Sequence, residues 1–356
     1  IPNVKEALDQ LSREVNIDIK QNDVDVYWKP YGMSDFEWEF IGTDPDKPNL
    51  PVGPIQLKLE KEGFKTAIVS NYNPSLIFKN FPVDLGFYPS GYELIEENKI
   101  PEGMVYVPGG SFVPAISGEG TEPFTLSPYF IDKYEVTNKE YKKFIDSGGY
   151  MNPRYWEEMD FILDGNSIEF DEAISLMKDS TGRNGPANWE LSDYPLGEDN
   201  YPVTGISWYE AQAYAKFVGN ILPPYFHWAK AAYPADEWAA PIAPEMLTQS
   251  NYKSNIVSEV GLYNSLGPYG TYDMTGNVRE WVWNIFGGRG MTLGGAVSEP
   301  EYTGFQANPM PRFERSELTG FRTVRLLNPA DLNPFGDEIQ NAEPPPLEFY
   351  KPLDEE

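Results

Sequence analysis

Apolar and polar positions follow two rhythms along this chain. Residues 1–13 (IPNVKEALDQLSR) space their apolar positions for a short linker helix. From Val15 the period shortens to two. VNIDIK alternates, and DVYWK, FEWEFIG and IQLKLEKEGF follow, bounded by turns such as Pro30-Tyr31-Gly32 and Asp44-Pro45. Several short strands within residues 14–72 predict a small β-sandwich. Residues 73–101 are irregular, rich in Pro and Asn, and read as a linker packed on one domain. Helical spacing then returns twice. Thr137 precedes Glu140, and Ser207 precedes Glu210, in each case by the spacing of a capping box. The second of these helices presents Ala211, Tyr214, Ala215 and Val218 as its apolar face. Helices tied to a turn-rich β core predict an α+β domain over 102–328. The segment 329–356 is acidic, Pro-rich and expected to run extended.

Composition narrows the chemistry. Hydrophobic residues make up 40% and aromatics 15% of 356 residues, enough for sizeable cores, and 31 Gly with 33 Pro call for many turns. The net charge of -28 repels nucleic acid and anionic membranes, whose phosphates need Lys and Arg, and favours cations. There is no cysteine, which excludes disulfides, thiolate metal sites and cysteine nucleophiles. The single histidine, His227, excludes sites needing several imidazoles and is expected to be packed or on the surface. No run reaches the ~20 apolar residues of a membrane span. The chain starts at Ile1, leaving room for a signal or membrane anchor outside this stretch.

Two family resemblances attach to particular residues. DVDVYWK, IGTDP and NLPVGPIQLKLEKEGF, through Gly42, Thr43, Pro45, Leu50, Pro51, Gly53, Lys61, Gly63 and Phe64, resemble the PEGA domain. That resemblance implies a fold and an extracytoplasmic address in bacteria, and no chemistry. From Met104 to about Arg325, five motifs run in order: MVYVPGGSF, PYFIDKYEVTNKEYKKFIDSGGY, YPVTGISWYEAQAYAKFVGNILP, GPYGTYDMTGNVREWVWN, and LGGAV with TGFRTVR. They resemble the formylglycine-generating enzyme and sulfatase-modifying factor family. The implied fold is C-type-lectin-like α+β with little regular secondary structure. The stretch 150–200 is similar to the version of this domain that follows a PEGA-like module in some bacterial membrane-anchored kinases and lipoproteins.

The resemblance also implies calcium. In the family, residues matching Asp273, Gly276, Val278 and Glu280 bind the ion through two side chains and two carbonyls, an oxygen-only set that suits Ca²⁺. The alternative at Glu280 is a salt bridge or a turn cap. A second family calcium site would use Asn251, in the pair Asn251-Tyr252, although no following Asp-x-aromatic accompanies it.

The family's copper-binding cysteines follow Gly294-Gly295, and counting on places their equivalents at about Glu299 and Gly304. Neither replaces a soft thiolate. The three-histidine iron site of related hercynine oxygenases is excluded as well. Glu299 and Glu301, with Tyr155, Trp156 and Trp189, are expected to line the former active-site cleft. Gly287-Gly288-Arg289-Gly290 lacks the Lys and Ser/Thr of a phosphate loop. Three function classes stay open. The favoured one is a non-catalytic, calcium-binding, extracytoplasmic sensory module for a protein or glycan ligand. The others are a self-assembling envelope or appendage component, and a cysteine-free enzyme using carboxylates in the former cleft.

Overall fold

The computed structural model describes residues 12–15, 17–73, 92–112, 124–233 and 243–328. The amino-terminal part holds β1 (Ser12–Glu14), β2 (Asp25–Pro30), β3 (Glu39–Thr43), β4 (Asn49–Pro51), β5 (Gly53–Glu60) and β6 (Ala67–Asn73). β2, β3, β5 and β6 form an antiparallel sheet in the order β3-β2-β5-β6, while β1 pairs with β4. Alternation sets the faces: Val26 and Trp28 on β2 meet Leu57 and Leu59 on β5, and all four are buried. Ser12 and Arg13, expected to end the linker helix, lie in β1 instead, because the 49–51 segment offers an edge to pair with. The rest of that expected helix, and the tail 329–356, lie outside the described residues.

The second part contains β7 (Met104–Val107), β8 (Gly110–Phe112), β9 (Phe124–Leu126) and β10 (Tyr129–Asp132). Helix α1 (Asn138–Asp146), hairpin strands β11 (Ile162–Leu163) and β12 (Asn166–Ser167), α2 (Phe170–Leu176), α3 (Trp208–Phe217), α4 (Tyr225–Ala232) and α5 (Ala243–Gln249) follow. The chain then forms β13 (Arg279–Phe286), β14 (Arg289–Leu293), β15 (Asn308–Met310), β16 (Thr319–Phe321) and β17 (Val324–Leu326). β13 pairs antiparallel with β14 and parallel with β16 in the mixed sheet β15-β14-β13-β16, and β17-β10-β7 forms another. The fold is mixed α+β with few helices.

Both expected capping boxes are present. Glu140 N–H donates to Thr137 Oγ1 at 3.3 Å and Thr137 N–H donates to Glu140 Oε2 at 2.9 Å. Ser207 and Glu210 reciprocate at 3.2 and 2.8 Å. α3 departs from the one-face expectation. Every residue from Trp208 to Ala215 is buried, so this helix runs through the core, and Val218 is only its cap. The buried Glu210 is balanced by Arg315, whose Nε and Nη2 each lie 3.0 Å from its carboxylate, and by Tyr150 Oη at 2.6 Å.

The boundary expected near residue 73 is not a gap in packing. Val24, Val26, Trp28, Leu57 and Val69 share one apolar cluster with Tyr129, Tyr225, Trp228, Leu266 and Tyr269. Tyr31 Oη donates to Leu266 O at 2.8 Å and Ser70 N–H to Pro268 O at 3.1 Å across this seam. Tyr92 and Leu94, at the end of the expected linker, are buried in the same cluster.

Candidate functional site

The turn from Asp273 to Asn277 places the expected calcium residues. Asp273 (φ 56°), Gly276 (φ 75°) and Asn277 (φ 55°) take left-handed backbone, which Asp and Asn tolerate and Gly takes freely. A Cβ on Gly276 would lie 3.0 Å from Asn251 O, so the turn also needs glycine for close approach. Beyond it β13 carries Glu280 into the interior.

There Glu280 meets Arg322. Arg322 donates Nε–H to Glu280 Oε2 at 2.7 Å and Nη2–H to Oε1 at 2.6 Å. Its remaining N–H groups reach Asp132 O, Lys133 O and Tyr272 O, so all five donors are used. Trp228 Nε1–H adds a bond to Glu280 Oε2 at 2.7 Å. Asp273 accepts from Gly261 N–H at 2.6 Å and from Ser265 Oγ at 3.2 Å. Burial pushes its pKa up to about 6, against the pull of the Gly261 N–H and Arg322. Glu135 is 1% exposed and accepts from Asn277 Nδ2 through Oε1, while Oε2 has no hydrogen-bond partner among the described residues. Burial first, and Asp273 next, hold it well above the usual carboxylate range.

Three buried carboxylates (Glu135, Asp273, Glu280) thus surround one buried guanidinium. Fully ionised, they leave negative charge uncompensated in a sealed interior, a condition a divalent cation relieves. Oxygen donors and surplus negative charge are of the kind calcium takes, while the donors themselves are already engaged by Arg322, Trp228, Gly261 and Ser265. Glu280 realises the salt-bridge alternative, so an ion there would share its oxygens with Arg322. Among the described residues no three Asp, Glu or His converge as a ligand set.

Asn251, expected at a second calcium site, closes its own loop instead. Its oxygen accepts from Ser254 Oγ and its amide donates to Ile256 O, Ser258 Oγ and Asn277 Oδ1.

The expected aromatic cleft is corrected. Trp156 is 2% and Trp189 1% exposed, both inside the cluster built around Tyr141, Phe144 and Tyr214. Tyr155 packs edge-on against Phe144 and Phe217. Nine tryptophans and many tyrosines need an interior, and α1 and α3 supply it. Glu299 and Glu301 lie elsewhere and do not work as a pair. Glu299 forms an ion pair with Arg279 and accepts from Ala296 N–H, whereas Glu301 meets Lys253 at 2.8 Å on the surface. Each is neutralised by its own cation. Gly304 is hemmed in: Tyr233 Oη donates to its carbonyl, and a Cβ there would lie 2.5 Å from Tyr252 Oη. His227 is fully buried, edge-on to Tyr129 at 4.7 Å.

Arg322, Glu135 and Asn277 were not singled out from sequence. Arg322 stood in the TGFR motif and Glu135 in EVTN, but only the fold brings them to Glu280 and Asp273.

A family model described as "Sulfatase-modifying factor enzyme 1-like domain" matches residues 92–327. Among curated proteins, a serine/threonine-protein kinase pkn1 of Chlamydia caviae is 28% identical over 226 residues, covering 61% of this chain and 33% of the kinase. A formylglycine-generating enzyme of Thermomonospora curvata is 27% identical over 222 residues, covering 51% of this chain and 71% of the enzyme. A hercynine oxygenase of Mycolicibacterium smegmatis is 28% identical over 208 residues, covering 50% of this chain and 44% of the oxygenase. The match thus spans a third of the kinase and under half of the oxygenase.

Proposed function

The chain belongs to the sulfatase-modifying factor enzyme 1-like family, and from that premise we propose that it is a non-oxidising, calcium-stabilised binding module with an extracytoplasmic address. In this reading the lectin-like scaffold is kept and a PEGA-like block precedes it. The observation that carries the proposal is the state of the two positions where copper cysteines would stand. Glu299 is locked to Arg279, and Gly304 is walled in by Tyr233 and Tyr252. A salt bridge and a tyrosine contact replace a thiolate pair, and neither binds Cu(I).

Asp273 and Glu280 side chains, with the carbonyls of Gly276 and Val278, would hold the calcium. The ion would supply positive charge where Glu135, Asp273 and Glu280 outnumber Arg322. The Arg279–Glu299 and Lys253–Glu301 pairs weigh against carboxylate acid–base chemistry, which needs one group left unneutralised.

The test is an oxygen-consumption assay of the intact chain with copper and a thiol peptide. No turnover is expected; measurable oxidation of the peptide would sink the reading.

A further inference from the structure

We propose that a second cavity, between the start of β7, the ends of β10 and α3, and helix α1, binds a small zwitterion: an α-amino acid or short peptide with free ammonium and carboxylate. The cavity holds about 610 Å³, a size fit for a dipeptide.

Its polar groups are spent on the protein at one end and open at the other. Tyr214 is 5% exposed, its ring stacked on Tyr141 at 5.4 Å and edge-on to Phe321. Its hydroxyl makes no hydrogen bond among the described residues and is not sealed from solvent; the side chain lines the cavity, with Glu140 and Asp132 as its charged neighbours. Asp132 uses Oδ2 to accept from Thr323 N–H and Oγ1, both at 2.7 Å. Glu140 spends Oε2 on the Thr137 cap. The second oxygen of each has no hydrogen-bond partner among the described residues. Across the cavity, Arg325 donates Nε–H to Asn220 Oδ1 at 3.0 Å, and Asn220 Nδ2 donates to Thr323 Oγ1 at 2.9 Å. That leaves the Arg325 terminal nitrogens without protein partners among the described residues. The same holds for the Lys143 ammonium, which lines the cavity from α1 one turn beyond Glu140.

A hydrogen-bonded chain Arg325–Asn220–Thr323–Asp132 therefore runs from a cationic end to an anionic end. The cationic end suits a carboxylate, the anionic end an ammonium, and Tyr214 Oη a polar group between. A neutral saccharide needs an open ring face, and the Tyr214 and Phe217 rings are packed against Tyr141, Phe144 and Tyr155. Glu102 and Glu140 add negative charge to the wall, which disfavours phosphates.

The inference rests on the binding-module reading and names its ligand class. It is tested by calorimetric titration of the intact chain with glycylglycine, L-lysine and L-glutamate, with maltose and doubly blocked glycine as uncharged controls. Saturable binding of a zwitterion and none of the controls is expected. Arg325→Met and Lys143→Met, at exposed rim positions, should each weaken it by about tenfold, the loss of one charge-assisted contact. Tyr214→Phe should weaken it less. No saturable zwitterion binding, binding of maltose instead, or affinity unchanged in both rim variants overturns the proposal. Thiol oxidation would overturn the module reading in a separate assay and leave this titration interpretable.

Discussion

Glu280 and Arg322 grip each other in a two-pronged pair of 2.6 and 2.7 Å with both side chains sealed from water. Removing one partner strands the other as an unpaired buried charge. Arg322→Met is therefore expected to destabilise the fold by about 3–5 kcal/mol in urea unfolding. Arg322→Lys keeps the charge but offers fewer donors in the wrong shape, and should recover little of that loss. A midpoint near wild type in either variant would show that the pair contributes nothing.

Tyr252 and Gly304 set a second expectation. Gly304→Ala drives a methyl group into Tyr252 Oη, and overpacking of this kind costs about 1–3 kcal/mol. Tyr252→Phe removes the obstructing oxygen, along with its bond to Gly294 O at 2.8 Å. The double variant should be more stable than the sum of the two single losses. A double-mutant cycle with no coupling would contradict the contact.

Acid should stabilise the metal-free protein. Burial raises the Asp132 pKa from 3.8 to about 7, and that of Asp273 from 3.8 to about 6. An acid with a raised value in the folded state holds more protons folded than unfolded between the two values. Stability then falls as pH rises through that window. Melting in the presence of a chelator is expected to shift upward by a few degrees from pH 7.5 to pH 5. Asp132→Asn should flatten the slope, and an unchanged slope in that variant would remove Asp132 from the account.

Calcium should reverse part of this trend. At one hundred times its dissociation constant a ligand of the folded state adds about 2.7 kcal/mol. A rise in melting temperature with calcium, absent in Asp273→Ala, is the expected result. Equal melting of wild type with calcium and with chelator would exclude a stabilising ion.

Much of this was legible in the chain, for local reasons. Thr137 with Glu140 and Ser207 with Glu210 act over one helical turn, so spacing alone revealed them. The order of motifs from Met104 to Arg325 gave the family. The interior was harder to read. Trp156 and Trp189 look the same in sequence whether they face a ligand or Tyr141 and Phe144, because an aromatic side chain serves both. Arg322 lies 42 positions from Glu280, and only folding brings the charges together. The salt bridge of Glu299, in the turn after β14, depended on Arg279 at the start of β13, a partner no local pattern announces.

The continuous apolar seam joining Val26, Trp28 and Leu57 to Tyr129, Tyr225 and Leu266 has a consequence for how the molecule can be handled. Cutting after residue 73 would not release a finished module. It would bare a wall of tyrosine and leucine to water, and the shortened protein should stick to itself. Expressed together, the two blocks keep that wall covered.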